Sequence, residues 1–173
     1  TYTYTVRCLD SKGNFVSGYN KSGKSNLFLA PPTISGVSKS DKGNLIEWKS
    51  VSGVAGYRLY RKTVGSSWSV LADVTSGNSY VDTSAKKDNI YSYTLRCLDK
   101  NGSLISSYIS DTKYYYNGSL ANGKVSVNGE TYYFSNGLFR SGLQTINGNK
   151  YYYNSSGVLQ KNGIVGSDQD GWY

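Results

Sequence analysis

Residues that could make or break bonds are scarce in this chain. None of its 173 residues is histidine, which removes the usual general base near neutral pH and the commonest metal ligand. Ser-His-Asp, Cys-His and His-zinc constellations are therefore excluded, and two cysteines cannot complete a structural zinc site unaided. The carboxylates are scattered. Glu47 with Asp82 is the pair that a hydrolytic reading would have to use. Asp10 and Asp99 each stand three residues before a glycine, Gly13 and Gly102, a spacing that suits a tight turn with a left-handed residue rather than an acid pair. Asp168, Gln169, Asp170 and Gly171 share the opening of a calcium loop, but the rest of the liganding pattern is missing and the stretch reads as a hairpin turn. The expectation is no catalytic residue, no metal and no cofactor.

The elements that carry these residues are short strands. Twenty glycines, 18 tyrosines and abundant Ser, Thr and Asn favour an all-β chain. YTYTVRCLDSKGNFVSGY from residue 2 returns as YSYTLRCLDKNGSLISSY from residue 91, with ten of 18 positions identical at an offset of 89. That offset approaches the length of a small β-sandwich, about 100 residues. Cys8 and Cys97 occupy the same place in both copies, so they are expected as two separate buried thiols; a bridge or a reactive nucleophile is the alternative. Between the copies, NLIEW, GYRLYRK, WSVLADV and SYVDT recur at turn-separated intervals, as the strands of a sandwich do. Alternation puts Tyr91, Tyr93, Leu95 and Cys97 on the core face and Ser92, Thr94 and Arg96 on the other. Ile46 with Trp48, and Tyr57 with Leu59, should point inward across the two sheets.

A second period begins near residue 113. KYYYNGSLANGKVSVNG, TYYFSNGLFRSGLQTING and KYYYNSSGVLQKNGIVGSDQDG align, and WY opens a fourth copy, so aromatic clusters start at Tyr114, Tyr132, Tyr151 and Trp172, at steps of 18, 19 and 21 residues. Units so short cannot each hold a core and should stack as a solenoid of hairpins. Asn128 with Gly129 and Asn147 with Gly148 mark one turn of each unit, Gly137 and Gly157 the other. Alternate members of each triplet must face opposite ways, so either the middle ring or its two neighbours form the core of the stack.

Residues 31–112, with PPTISGV, IEW, GYRLYRK, SYVDTS and YSYTLRCLDKNG, resemble a bacterial fibronectin type III domain. That resemblance implies that Tyr91 braces the chain crossover through its hydroxyl. By the same resemblance residues 1–30 are the last two strands of a preceding domain. A lone hairpin is marginal in water, so it should lean on its neighbour or pair or swap with another chain. With no methionine at residue 1, the chain is expected to be a piece of a longer exported protein.

Residues 113–173, above all INGNKYYYNSSG, resemble the cell-wall-binding repeats of choline-binding proteins, glucan-binding glucosyltransferases and clostridial toxin tails. The resemblance implies shallow aromatic sites for choline on teichoic acid or for sugars, and it nominates Tyr132, Tyr133, Tyr151, Tyr152, Trp172 and Tyr173 as ligand contacts. The choline pattern is incomplete. The tryptophan expected before each tyrosine pair is Lys113, Thr131 and Lys150, returning only as Trp172, and the one after the distal glycine is Leu143 or Ile164. This departure favours a glycan.

The net charge is +8, with 14 basic and 8 acidic residues in 1–112 against 5 and 3 in 113–173. Dispersed lysines suit an anionic polymer such as a cell wall. No basic helix or nucleic-acid signature is present, and no stretch approaches the roughly 20 apolar residues of a membrane span, so neither nucleic acid nor membrane insertion is expected. The sequence reads as a non-catalytic attachment segment of a secreted, surface-located bacterial protein. Its sandwich would be a spacer, and its repeats would bind a cell-wall polymer, teichoic acid or glycan, or a glucan. The competing reading is an adhesin whose sandwich binds a host or partner protein.

Overall fold

The computed structural model describes residues 1–173 except 27, 110, 111, 162–165, 168–170 and 173; at 24–26, 166, 167, 171 and 172 it describes the backbone alone. Among the described residues every regular element is a strand. The first two, β1 (Tyr2–Tyr4) and β2 (Lys24–Asn26), form an antiparallel pair with Tyr2 opposite Asn26. Between them the Asp10 carboxylate accepts from the Lys12 and Asn14 amides while Gly13, at φ 86°, closes the turn onto the Asp10 carbonyl. The second copy of the phrase repeats this with Asp99 accepting from Asn101 and Ser103, and Gly102 at φ 76°.

Six strands build the sandwich: β3 (Ile34–Ser40), β4 (Gly43–Trp48), β5 (Gly56–Thr63), β6 (Ser69–Val74), β7 (Ser79–Asp82) and β8 (Ile90–Leu98). One sheet has the order β3-β4-β7. The other runs β6-β5-β8 and continues into β9 (Tyr114–Tyr116) and β10 (Ser119–Leu120). The inward residues are those that alternation indicated: Ile46, Trp48, Tyr57, Leu59, Tyr91, Tyr93, Leu95 and Cys97 are all buried in one cluster. Trp48 meets Tyr57 edge to face at 5.3 Å. The Tyr91 hydroxyl accepts from the Lys86 amide at 2.9 Å, bracing the crossover into β8. Each such ring removes roughly 1.5–3 kcal/mol worth of apolar surface from water.

The two copies of the phrase have opposite fates. Tyr91, Tyr93, Leu95 and Cys97 are inside, whereas Tyr2, Tyr4, Val6 and Cys8 are exposed, because among the described residues β1 and β2 form a two-stranded sheet with no second sheet opposite. The expectation that both thiols are buried is thus corrected for Cys8, while Cys97 is buried as expected and burial pushes its thiol up. A thiol reagent at mildly alkaline pH should modify Cys8 rapidly and Cys97 only after denaturant is added; equal rates would contradict this burial difference. The amino-terminal segment is fastened by Leu29, which packs against the sandwich core and donates its amide to the Ile105 carbonyl at 2.7 Å.

The strand beside β8 is split between two parts of the chain. Ile105 donates to the Cys97 carbonyl at the lower end, and β9 pairs with Ile90–Ser92 at the upper end. The first aromatic triplet therefore serves as a sandwich strand. Tyr115 packs on the sandwich core, while Tyr114 and Tyr116 belong with Ile90, Val125, Val127, Tyr132 and Phe134 in a second core. This docking also explains why Ser92, on the face expected to be polar, is buried, its hydroxyl donating to the Lys113 carbonyl.

The remaining hairpins are β11 (Gly123–Val127) with β12 (Glu130–Ser135) and β13 (Leu138–Phe139), then β14 (Gly142–Ile146) with β15 (Asn149–Tyr153), then β16 (Gly166–Ser167) with β17 (Gly171–Trp172). Asn128 and Gly129, and likewise Asn147 and Gly148, all have positive φ near 50° and 80°. That is the twist a two-residue hairpin turn needs, and Asn-Gly adopts it at least strain. Successive units are linked: Tyr114 donates to the Gly137 carbonyl and Leu159 to the Thr131 carbonyl, and the Tyr133 and Tyr153 rings stack at 6.0 Å.

Candidate functional site

Parity within each triplet follows from strand register. In β12, Tyr132 and Phe134 point inward and Tyr133 outward, since Val125 and Val127 of the paired β11 fill the same inner face. Tyr132, expected among the ligand contacts, is only 4% exposed, and its hydroxyl donates to the Glu130 carboxylate. Burial, followed by that carboxylate, pushes it up to about 12. It is a core residue in this structure, which corrects its place in the ligand face. Tyr133, Tyr151 and Tyr152 remain half-buried, each with part of a ring at the surface. Tyr153 is buried completely, and burial raises its phenol; the hydroxyl has no hydrogen-bond partner. The backbone of Trp172 pairs with Gly166 in the last hairpin, whereas Tyr173, Ile164 and the Asp168–Asp170 part of the candidate calcium turn lie outside the described residues.

Sequence reasoning missed Lys124. It stands directly opposite Tyr133 across the β11–β12 ladder, and its ammonium lies 3.2 Å from the centre of the Tyr151 ring on β15. A cation over a phenol face gains roughly 0.5–2 kcal/mol depending on how dry the contact is. Among the described residues Lys124 forms no ion pair. The outward positions of GKVSV, where Lys124 alternates with Val125, were readable; the partner ring one hairpin further on was not. Lys124, Tyr133 and Tyr151 thus come together from adjacent hairpins, whereas Tyr152 alternates to the other face of β15, where it pairs in register with the exposed Leu143 of β14. This group can hold a flat hydroxylated ring by stacking and satisfy an oxygen with an ammonium. Among the described residues no cluster of three or more metal-binding side chains occurs.

No family model matches the sequence, and no curated protein matches it. Among solved structures, an Fn3-like protein from Clostridium thermocellum aligns at 22% identity and TM-score 0.38 over 46% of this chain and 90% of that one. A beta-1,2-glucanase from Parabacteroides distasonis aligns at 19% identity and TM-score 0.44 over 62% of this chain, which spans 16% of the glucanase. CbpJ from Streptococcus pneumoniae aligns at 17% identity and TM-score 0.31 over 99% of this chain and 63% of CbpJ.

The carboxylates nominated for hydrolysis are not brought together. Glu47 is exposed and pairs in register with Ser79, whereas Asp82 lies opposite Asn44 and is buried. Asp82 accepts from Arg61 at 2.7 Å, from the Tyr93 hydroxyl at 3.0 Å and from the Ser84 hydroxyl at 2.7 Å. Its lone pairs are committed to holding β5, β7 and β8 in place.

Proposed function

We propose that this chain is a non-catalytic attachment segment of a secreted bacterial surface protein, whose hairpin repeats bind a cell-wall glycan through Tyr133, Tyr151 and Lys124. The observation that carries this reading is the Lys124 ammonium seated on Tyr151 beside the half-buried ring of Tyr133. An internal cation on that face competes with a quaternary ammonium for the same quadrupole, so the site favours sugar over choline. The sandwich holds the repeats through β9, which belongs to both.

The test is titration of the whole chain with purified wall glycan and, separately, with choline. Tyr151→Ala should weaken glycan binding about five- to thirtyfold, the loss of roughly 1–2 kcal/mol of ring contact. Lys124→Ala should weaken it too while raising affinity for choline. Unchanged glycan binding in Tyr151→Ala would remove this site, and binding of a host protein by the sandwich in place of glycan would favour the adhesin reading.

A further inference from the structure

The sandwich carries a feature that a plain spacer does not need. On the outer face of its larger sheet a small cavity of about 130 Å³ is lined by Tyr60, Trp68, Thr94, Arg96 and Tyr108. Register assembles it. Tyr60 on β5 is directly opposite Thr94 on β8 and Val70 on β6, Arg96 stands one outward step further along β8, and Trp68 and Tyr108 close the sides from the segments before β6 and after residue 106. Tyr108 is 52% exposed and Val70 59%, so apolar surface is left facing water around a polar floor.

Several polar groups of this cavity are unused by the protein. Thr94 is only 4% exposed, yet among the described residues its hydroxyl makes no hydrogen bond; the same holds for the indole N–H of Trp68 and the hydroxyl of Tyr108. None of these three groups is sealed from solvent, so water answers them until a ligand with matching oxygens displaces it. Arg96 donates Nε to the Ser106 carbonyl at 2.7 Å, which fixes the guanidinium, and its terminal amines have no partner among the described residues. Its neighbour Arg58 differs: both of its contacts to Asp73 are 2.7 Å, so that charge is neutralised. Among the described residues no carboxylate lines the cavity.

We propose that this cavity is a second binding site, for one residue of an anionic saccharide. Trp68 and the two tyrosines offer ring faces to the C–H face of a pyranose, Thr94 and Tyr108 meet its hydroxyls, and the guanidinium of Arg96 takes a carboxylate or phosphate in its fork. A purely apolar ligand would leave the donors unsatisfied, and a cation would be repelled by Arg96 and by Lys62, whose ammonium is 4.8 Å from the Trp68 ring. Lys62 also lies 5.3 Å from the Tyr114 ring at the root of the repeats, so the cavity and the hairpins share one face of the sheet. A polymer held in the cavity runs toward the hairpin column without changing sides.

The experiment is calorimetric titration of the whole chain with a glucuronate-containing hexasaccharide, a phosphorylated glucose oligomer and a neutral glucose oligomer of equal length. At least one anionic probe should bind at least tenfold more tightly than the neutral one, and the two anionic arms identify whether carboxylate or phosphate is the preferred group. Trp68→Ala, and the exposed and structurally milder Tyr108→Ala, should each weaken that binding tenfold or more, while Val6→Ala, at an exposed position outside both sites, leaves it unchanged. Equal affinity for the neutral probe, or full anionic binding in a folded Tyr108→Ala and Trp68→Ala, would overturn the proposal. Loss of binding only in Tyr151→Ala would also overturn it, by placing all recognition in the repeats.

Discussion

Asp82→Ala is expected to destabilise the chain by about 3–5 kcal/mol, because it removes one partner of a buried ion pair and leaves the others unanswered. Asp82 is 1% exposed and Arg61, 2.7 Å away, is 23% exposed in its side chain, so water cannot fully replace the lost carboxylate. Tyr93 donates its hydroxyl to Asp82 and accepts from the Asn44 amide, making a relay from β4 through β8 to β7. Burial, relieved in part by Asn44, holds the Tyr93 phenol well above its ordinary range, so this hydroxyl is protonated and donates at neutral pH. Asp82→Asn keeps the size and one acceptor and should lose distinctly less. Urea unfolding of both variants measures the difference. A loss under 1 kcal/mol in Asp82→Ala would mean that Arg61 and Tyr93 find water or other partners, and the relay would then have little weight.

How far these features were legible depends on which contacts are local. The inward set of β8, the Trp48–Tyr57 pair, the Asp10 and Asp99 turns and the Asn-Gly hairpins all follow from periods of two and from turn chemistry within a few residues. The parity of the Tyr132 triplet was not decidable, because YYF alternates equally well either way. Only the pairing of β12 with Val125 and Val127 turns Tyr132 inward. Cys8 repeats the local sequence of Cys97, and its exposure reflects a two-stranded sheet with no sheet opposite it among the described residues, which no window around it encodes. The double role of Tyr114–Tyr116 was hidden in the same way. Its triplet reads like the other repeats, yet Tyr115 is drawn into the sandwich core by an edge of β8 that lies more than 20 residues earlier. Lys124 on Tyr151 is likewise a contact between hairpins, invisible to any single repeat.

That shared strand makes Gly118 a point where one atom decides whether sandwich and repeats act together. Gly118 has φ 77° in the β9–β10 turn, and a Cβ there would overlap the backbone of Lys39 on β3. Gly118→Val is therefore expected to cost about 2–5 kcal/mol, roughly 1–2 from the left-handed backbone and the rest from overpacking against a main chain that cannot move aside. Gly129→Ala is the control, since it has the same sign of φ and nothing within 4 Å of the added atom, so only the backbone component of about 1–2 kcal/mol remains. With β9 displaced, the upper half of β8 loses its neighbour and Ile90 and Tyr114 lose the contact that joins the two cores. The wild-type chain should unfold from residue 31 onward in one transition, and Gly118→Val should split it into two, readable from the near-ultraviolet signals of tyrosine and Trp48. Equal costs for the two glycine variants, or two transitions already present in the wild type, would show that the hairpin column hangs from the sandwich without mechanical coupling to it.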